Sequence, residues 1–305
     1  MSAEAARRSN FKFATQFGTM CVLDFISTPA ACQLARDVEA LGFGSIFLPE
    51  GAGKESFSQA AAMLSATDRI VVGTAIANIH IRDAVAAEAA ARALHAMYPD
   101  RFVLGLGVSH PQQVEGRLSL NYGKPLSAMR SYLERMDAVP SFIDEEAGRP
   151  PRLLAALGPK MIELSGRVAD GAIPYLVLPE QTAHTREIVG PDALVVSEVG
   201  VTLGDDAATN LRRSHAHLSV YDGLENYRAS WRRQGFDDTD FVPGGSDRLA
   251  EALVGLGPDG AKAALDAHLD AGADHVIAQV LGDELASDPR PGLERLAAVL
   301  GLSAR

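Results

Sequence analysis

Glu50 follows directly on the apolar run Ile46-Phe47-Leu48-Pro49, so an acid arrives where a buried strand ends. A carboxylate there either faces a cofactor or substrate or is a solvated loop group. In Val71-Val72-Gly73-Thr74-Ala75-Ile76-Ala77-Asn78, small residues stand where a buried strand would carry bulk. They leave room for a flat ring against the backbone, and the Asn78 amide can both donate and accept. The run from Phe102 to Leu106 passes through Gly105 and Gly107 into Ser109, His110 and Pro111. His110 suits proton exchange near neutral pH, although a loop histidine can also be structural. These glycines lack the third member of a dinucleotide-binding fingerprint, and no clear helix opens there, so a Rossmann reading fails. Finally, Leu157-Gly158-Pro159-Lys160-Met161 precedes the helical stretch Ile162–Val168. Glycine permits close approach, proline suits the first helical position, and the helix start offers free amides to an anion such as phosphate. Lys160 adds charge there or is a solvated first-turn lysine.

Other polar groupings carry less. His215 and His217 lie two apart on a helical stretch, so their side chains diverge, and Asp237, Asp238 and Asp240 lack the glycine and distal glutamate of a calcium loop. No metal is expected. Neither a Gly-x-Ser-x-Gly elbow nor a Walker lysine loop is present. Trp231 among Arg228, Arg232 and Arg233 reads equally as a binding edge or as an amphipathic helix end.

The elements that must position these residues are short apolar runs alternating with longer amphipathic segments, the pattern of parallel strands joined by helical crossovers. Eight strands are predicted: Phe11–Phe17, Ser45–Leu48, Ile70–Ala77, Phe102–Leu106, Leu153–Ala156, Gly171–Tyr175, Leu194–Val201 and His275–Val280. Eight favour a closed (β/α)8 TIM barrel, a single domain over residues 1–305, with its site on the loops after the strands. Between them, Ala84 to Met97 predicts a helix whose inward stripe is Val85, Ala89, Leu94 and Met97, with Glu88 and Arg92 outside. The stretches Val108–Lys124, Asp144–Pro151 and Gly235–Asp247 read as loops able to shape a pocket. Lys and Arg number 28 against 39 Asp and Glu, a net charge of -11, which opposes general affinity for nucleic acid or anionic membranes. No apolar run approaches a membrane span, and no apolar segment after Arg7 and Arg8 suggests a signal peptide. Cys21 and Cys32, read as ordinary core residues, form neither a disulfide framework nor zinc spacing, so a reducing, cytoplasmic setting is expected.

Taken in order, these segments resemble the luciferase-like monooxygenase superfamily, particularly its short members that use the deazaflavin coenzyme F-420. The resemblance spans roughly residues 11 to 300. Its most specific part is Val72-Gly73-Thr74, then a helix, then Tyr98-Pro99-Asp100-Arg101-Phe102-Val103-Leu104-Gly105-Leu106-Gly107. Leu41-Gly42-Phe43 and Ala169-Asp170-Gly171-Ala172 extend it. The resemblance implies a barrel with the deazaflavin across the strand ends and its phosphate near Gly158, Pro159, Lys160 and Met161. It also implies a non-prolyl cis peptide at Ala75-Ile76 behind the ring, Glu50 and Gly107 beside it, Asn78 at its polar edge, and His110 facing a small-molecule substrate. A homodimer is implied as well. FMN, with oxygen activation, is the alternative cofactor, and a flavin-binding barrel without catalysis is a third reading. Sugar-phosphate dehydrogenases of the superfamily carry histidine at the place of Gly51 and glutamate at that of His110, which argues against a sugar-phosphate substrate.

Overall fold

The computed structural model describes residues 11–51, 53–140, 148–284 and 287–303. In chain order the elements are β1 (Phe17–Met20), α1 (Thr28–Ala40), β2 (Ser45–Leu48), α2 (Ser56–Ser65), β3 (Val71–Thr74), β4 (Ala77–Asn78), α3 (Ala84–Met97) and β5 (Phe102–Gly107). They continue with α4 (Pro125–Asp137), β6 (Arg152–Ala155), α5 (Pro159–Val168), β7 (Gly171–Ile173), α6 (Pro179–Val189), β8 (Leu194–Thr202) and α7 (Ala207–Leu218). The last are α8 (Glu225–Arg233), α9 (Asp247–Leu253), β9 (Val254–Leu256), α10 (Gly257–Asp270), β10 (His275–Val280) and α11 (Arg290–Leu300). Polar side chains of Ser27, Glu55, Asp83, Asp206 and Ser246 cap the starts of α1, α2, α3, α7 and α9. Each accepts from an amide that has no partner within its helix.

Strands β1, β2, β3, β5, β6, β7, β8 and β10 pair in parallel, and β10 closes the ring onto β1. This is the expected eight-stranded barrel. Met20, Phe47, Val71, Val103, Leu153, Ile173, Val196 and Ile277 fill its interior, while a larger apolar layer packs the strands against the surrounding helices. A further apolar cluster around Leu218, Trp231, Phe241 and Leu249 belongs to an excursion over residues 203–253, and it covers the carboxyl end of β7 through Leu176. Trp231 is buried and donates from its indole to the Leu176 carbonyl at 2.9 Å, so α8 is an amphipathic helix anchored by its tryptophan.

Three local expectations are corrected. The first strand is Phe17–Met20, not Phe11–Phe17. Phe11 and Phe13 instead plug the amino end of the barrel, Phe13 stacking on His275 with centroids 3.8 Å apart. Their alternation mimics a strand because both must point at the same core. The inward face of α3 is Ala84, Ala87, Glu88, Ala91 and Leu94, whereas Val85 and Met97 are 48% and 59% exposed and Ala89 is also exposed. Alanine gives little contrast between faces. Glu88 is buried because Arg152, itself buried on β6, meets it at 2.9 Å and Arg92 at 2.6 Å. Third, β9 was not expected: it pairs with Gly200, Val201 and Thr202 at the end of β8. Cys21 is buried as expected, and Cys32 is only half-buried. Within Val108–Lys124 a π-helical turn covers Gln112–Arg117, and part of the Asp144–Pro151 loop lies outside the described residues.

Candidate functional site at the carboxyl ends of the strands

The chain leaves β3 through a cis peptide bond between Ala75 and Ile76, where the resemblance put it. The bend is stitched on both sides. The Glu50 amide donates to the Ile76 carbonyl at 3.2 Å, the Ile79 amide donates to Gly107, and β4 pairs with Leu106 and Gly107 of β5. Gly107 is needed here because a Cβ would stand 2.4 Å from Cγ1 of Ile76. The space beside Gly73 is not left for a ring: a Cβ there would meet the Phe47 ring at 2.2 Å, so Phe47 fills it.

Glu50 is 8% exposed, which excludes the solvated-loop reading. Its carboxylate accepts from the Ser56 amide (3.1 Å) and hydroxyl (3.0 Å), the Asn78 amide (2.8 Å) and both terminal nitrogens of Arg82. Arg82 lies over the Phe57 ring and also pairs with Glu55. Glu50 thus fixes the start of α2 and the exit of the cis bend. Asn78 is 1% exposed; its carbonyl oxygen accepts from the His80 amide at 3.0 Å, and its Nδ2 has no partner.

The exit of β5 runs beside this bend. Ser109 takes a left-handed backbone (φ 57), as does Leu176 (φ 50) after β7, conformations that L-residues adopt rarely and that gather at sites. The Tyr122 hydroxyl donates to the Ser109 carbonyl at 3.0 Å, and the Gln113 side chain reaches Gly51 at 3.1 Å, closing the loop over the mouth. His110 packs 5.7 Å from the Tyr227 ring. Burial pushes its imidazole below the usual range, a hydrogen bond with Asn226 opposes this in part, and Nδ1 is buried without a partner. His80 follows the same pattern: burial lowers its pKa, a hydrogen bond to Val108 resists, and Nε2 has no partner. Both rings are neutral at pH 7.

Helix α5 starts at Pro159 with Gly158 as its cap, and no side chain satisfies its first turn. A Cβ at Gly158 would meet nothing within 4 Å, so the approach is open. The Met161 and Ile162 amides turn back to the Gly158 carbonyl at 3.0 and 3.1 Å, and the side chain of Lys160 is exposed. Arg233 donates to the Leu157 carbonyl at 3.0 Å, placing a guanidinium at this helix start that the order of residues along the chain does not reveal.

A polar cluster inside the mouth was not foreseen. Tyr175, just past β7, shares its hydroxyl with His217, Gln279 (2.8 Å) and Tyr221 (3.4 Å), and Glu198 of β8 lies beside it. Tyr227 stacks edge-on against Tyr175 and Tyr221, linking the cluster to His110. A cavity of about 480 Å³ borders it, lined by Met20, Val22, His217, Val220 and Gln279 among others. His217 points here while His215 binds Gly244 and Asp247, so the two diverge as expected. The one signal was a glutamate amid the apolar strand Leu194–Thr202.

Residues 15–271 match the luciferase-like monooxygenase family. A Mycobacterium tuberculosis protein, whose name assigns it provisionally to the coenzyme F-420-dependent oxidoreductases, is 26% identical over 252 residues, covering 67% of this chain and 73% of that one. An F-420-dependent secondary alcohol dehydrogenase, solved with an F-420-acetone adduct, superposes with a TM-score of 0.73 at 13% identity, covering 96% of this chain and 99% of that one. The FMN-bound oxygenating constituent of 3,6-diketocamphane monooxygenase from Pseudomonas putida gives 0.66 at 14% identity, covering 95% and 98%. At these identities the two structures speak for the fold alone.

Proposed function

Because the chain belongs to the luciferase-like monooxygenase family, we propose that it is a coenzyme F-420-dependent oxidoreductase moving a hydride between the deazaflavin and a small organic substrate. The observation that carries this reading is the group of buried, unpartnered atoms around the cis bend: Asn78 Nδ2, His80 Nε2 and His110 Nδ1. Buried polar atoms are nearly always satisfied, so orphans on the neighbouring exits of β4 and β5 fit polar ligand groups there, a ring edge at Asn78 and a substrate group at His110. The deazaflavin supplies two-electron hydride chemistry when bound. Asn78 Nδ2 donates to the polar edge of its ring, and Ala75, Ile76 and Gly107 form the backing that Glu50 holds in place. The start of α5, with Gly158, Pro159, Lys160 and Met161, takes the phosphate, and Arg233 adds charge. His110, neutral and half-buried, exchanges the accompanying proton with the substrate or polarises its reacting group.

The name of the Mycobacterium tuberculosis relative supports the deazaflavin, and the FMN-bound structure keeps FMN as the second reading. Both carry a phosphate and a tricyclic ring. Fluorescence and absorbance titrations of the purified protein with F-420 and FMN side by side separate them. Selective F-420 binding is expected, selective FMN binding turns the chemistry towards oxygen activation, and binding of neither supports a barrel without catalysis. A homodimer belongs to the same reading, with Val85 and Met97 exposed on α3. Light scattering after size exclusion is expected to give twice the monomer mass.

A further inference from the structure

Glu198 is a carboxylic acid inside the barrel. In the parallel pairing it stands opposite Ile277, a core residue, and two residues after Val196, so its side chain enters the interior just below the mouth. It is 5% exposed, and Oε1 is fully occluded without a partner. No ion pair to it is found among the described residues. A buried carboxylate with neither a cation nor donors is costly, so such a group takes up a proton instead. Burial alone pushes its pKa up to about 8.

Its surroundings are polar but uncharged. Tyr175 and Tyr227 are raised well above the usual phenol range by burial, Tyr221 is raised to about 12, and His217 is lowered to about 4. From β10 the facing group is Gln279, whose carbonyl oxygen accepts from the Tyr175 hydroxyl. His110, beyond Tyr227, is also shifted below its ordinary range. Glu198 is therefore the group of this cluster that titrates just above neutrality. The Tyr175 hydroxyl is engaged with His217, Gln279 and Tyr221, whereas Glu198 Oε1 is without a partner, so a protonated Glu198 has a proton to offer.

We propose that Glu198 is a neutral hydrogen-bond donor that recognises an uncharged oxygen of the substrate, a carbonyl group, inside the aromatic mouth of the barrel. The proposal deepens the oxidoreductase reading by naming the substrate class and rests on that reading for the identity of the mouth. A neutral donor suits a carbonyl oxygen on which negative charge grows as the carbon is reduced, whereas an ionised Glu198 would repel it. Tyr175, Tyr221 and Tyr227 supply apolar faces for the rest of an uncharged molecule.

The test reads the carboxyl group itself. Infrared difference spectra of wild type minus Glu198→Gln are expected to show a protonated-carboxyl band at pH 7 that disappears with a midpoint near 8. Saturating cyclohexanone, a neutral carbonyl probe, is expected to shift that band. Its affinity should be flat below pH 7 and fall about tenfold per pH unit well above the midpoint, because only the protonated form binds. Glu198→Gln keeps a donor and should bind without this pH dependence, while Glu198→Leu should bind at least tenfold more weakly than wild type below pH 7, likewise without pH dependence. Cyclohexylammonium is the opposing probe. Absence of the band at pH 7, a band unmoved by the ketone, unchanged ketone affinity in Glu198→Leu, or tighter binding of the ammonium would each overturn the proposal. F-420 titration of the same variants keeps the two readings apart. Normal F-420 binding with an unresponsive band removes only the role of Glu198, and a responsive band without F-420 binding removes only the cofactor reading.

Discussion

A half-buried, neutral imidazole with one occluded, unpartnered nitrogen exchanges a proton at that nitrogen only with what enters the site. That is the position of His110. His110→Ala is expected to lower turnover by about 10²–10⁴ with the F-420 dissociation constant unchanged; equal turnover would remove His110 from the chemistry. Glu50 has a different part. Glu50→Gln breaks a buried pair with Arg82, and since Glu55 still reaches Arg82, the loss is expected near the low end of the range for such pairs, about 3 kcal/mol by urea unfolding. A loss below 1 kcal/mol would mean that the bend is held without it. The placement of Glu50, Asn78 and His110 at the carboxyl ends of strands was legible because each follows an apolar run. Tyr175, Glu198, His217 and Gln279 were not, because only closure of the ring unites residues so distant in the chain. Glu198 still left a trace, as a lone acid within Val-Val-Ser-Glu-Val-Gly-Val.

Strand positions were readable wherever apolar runs were isolated, as at β2, β5, β8 and β10, and the reading slipped where packing rather than hydropathy decides. The strand β1 contains Gly18 because a Cβ there would meet the Ser45 hydroxyl at 1.9 Å, and this weakens its apolar signal against the louder Phe11 and Phe13. On α3, Arg152 lies 64 residues from Glu88 in the chain, so nothing local announces that Glu88 turns inward. Gly73 gives a test of packing at β3. Its Cβ would collide with the Phe47 ring, which is itself enclosed by Phe13 and the barrel core. Gly73→Ala is expected to cost about 1–3 kcal/mol, measured by denaturant unfolding. A neutral effect would show that Phe47 can move and that space for a ring exists there after all.

Taken together, the barrel separates a rigid amino end from a polar carboxyl end. At the amino end His275 accepts from the Ser45 hydroxyl at 2.7 Å and donates to the Thr15 carbonyl at 2.9 Å, and burial lowers its pKa to about 3. His268, bonded to Thr182 at 2.8 Å on the flank, is lowered to about 4. Their folded-state values lie below the unfolded value near 6.5, so the unfolded chain binds more protons in acid. Their stabilisation is complete above pH 6.5 and is lost as pH falls towards 4 and 3. His268→Gln combined with His275→Gln should flatten the fall in unfolding free energy between pH 6.5 and 4.5, and an unchanged slope would contradict this. Glu198 acts with the opposite sign. Its raised value makes the fold lose stability as pH rises from about 4.5 to about 8, so Glu198→Gln should be more stable than wild type at pH 8. The carboxyl end is where the account stands or falls, and a crystal structure of the protein with F-420 tests it most directly. The ring is expected against the Ala75-Ile76 bend with its polar edge at Asn78 Nδ2, and the phosphate at the start of α5 beside Gly158. A deazaflavin seated elsewhere, or Asn78 Nδ2 still without a partner in the complex, would contradict it.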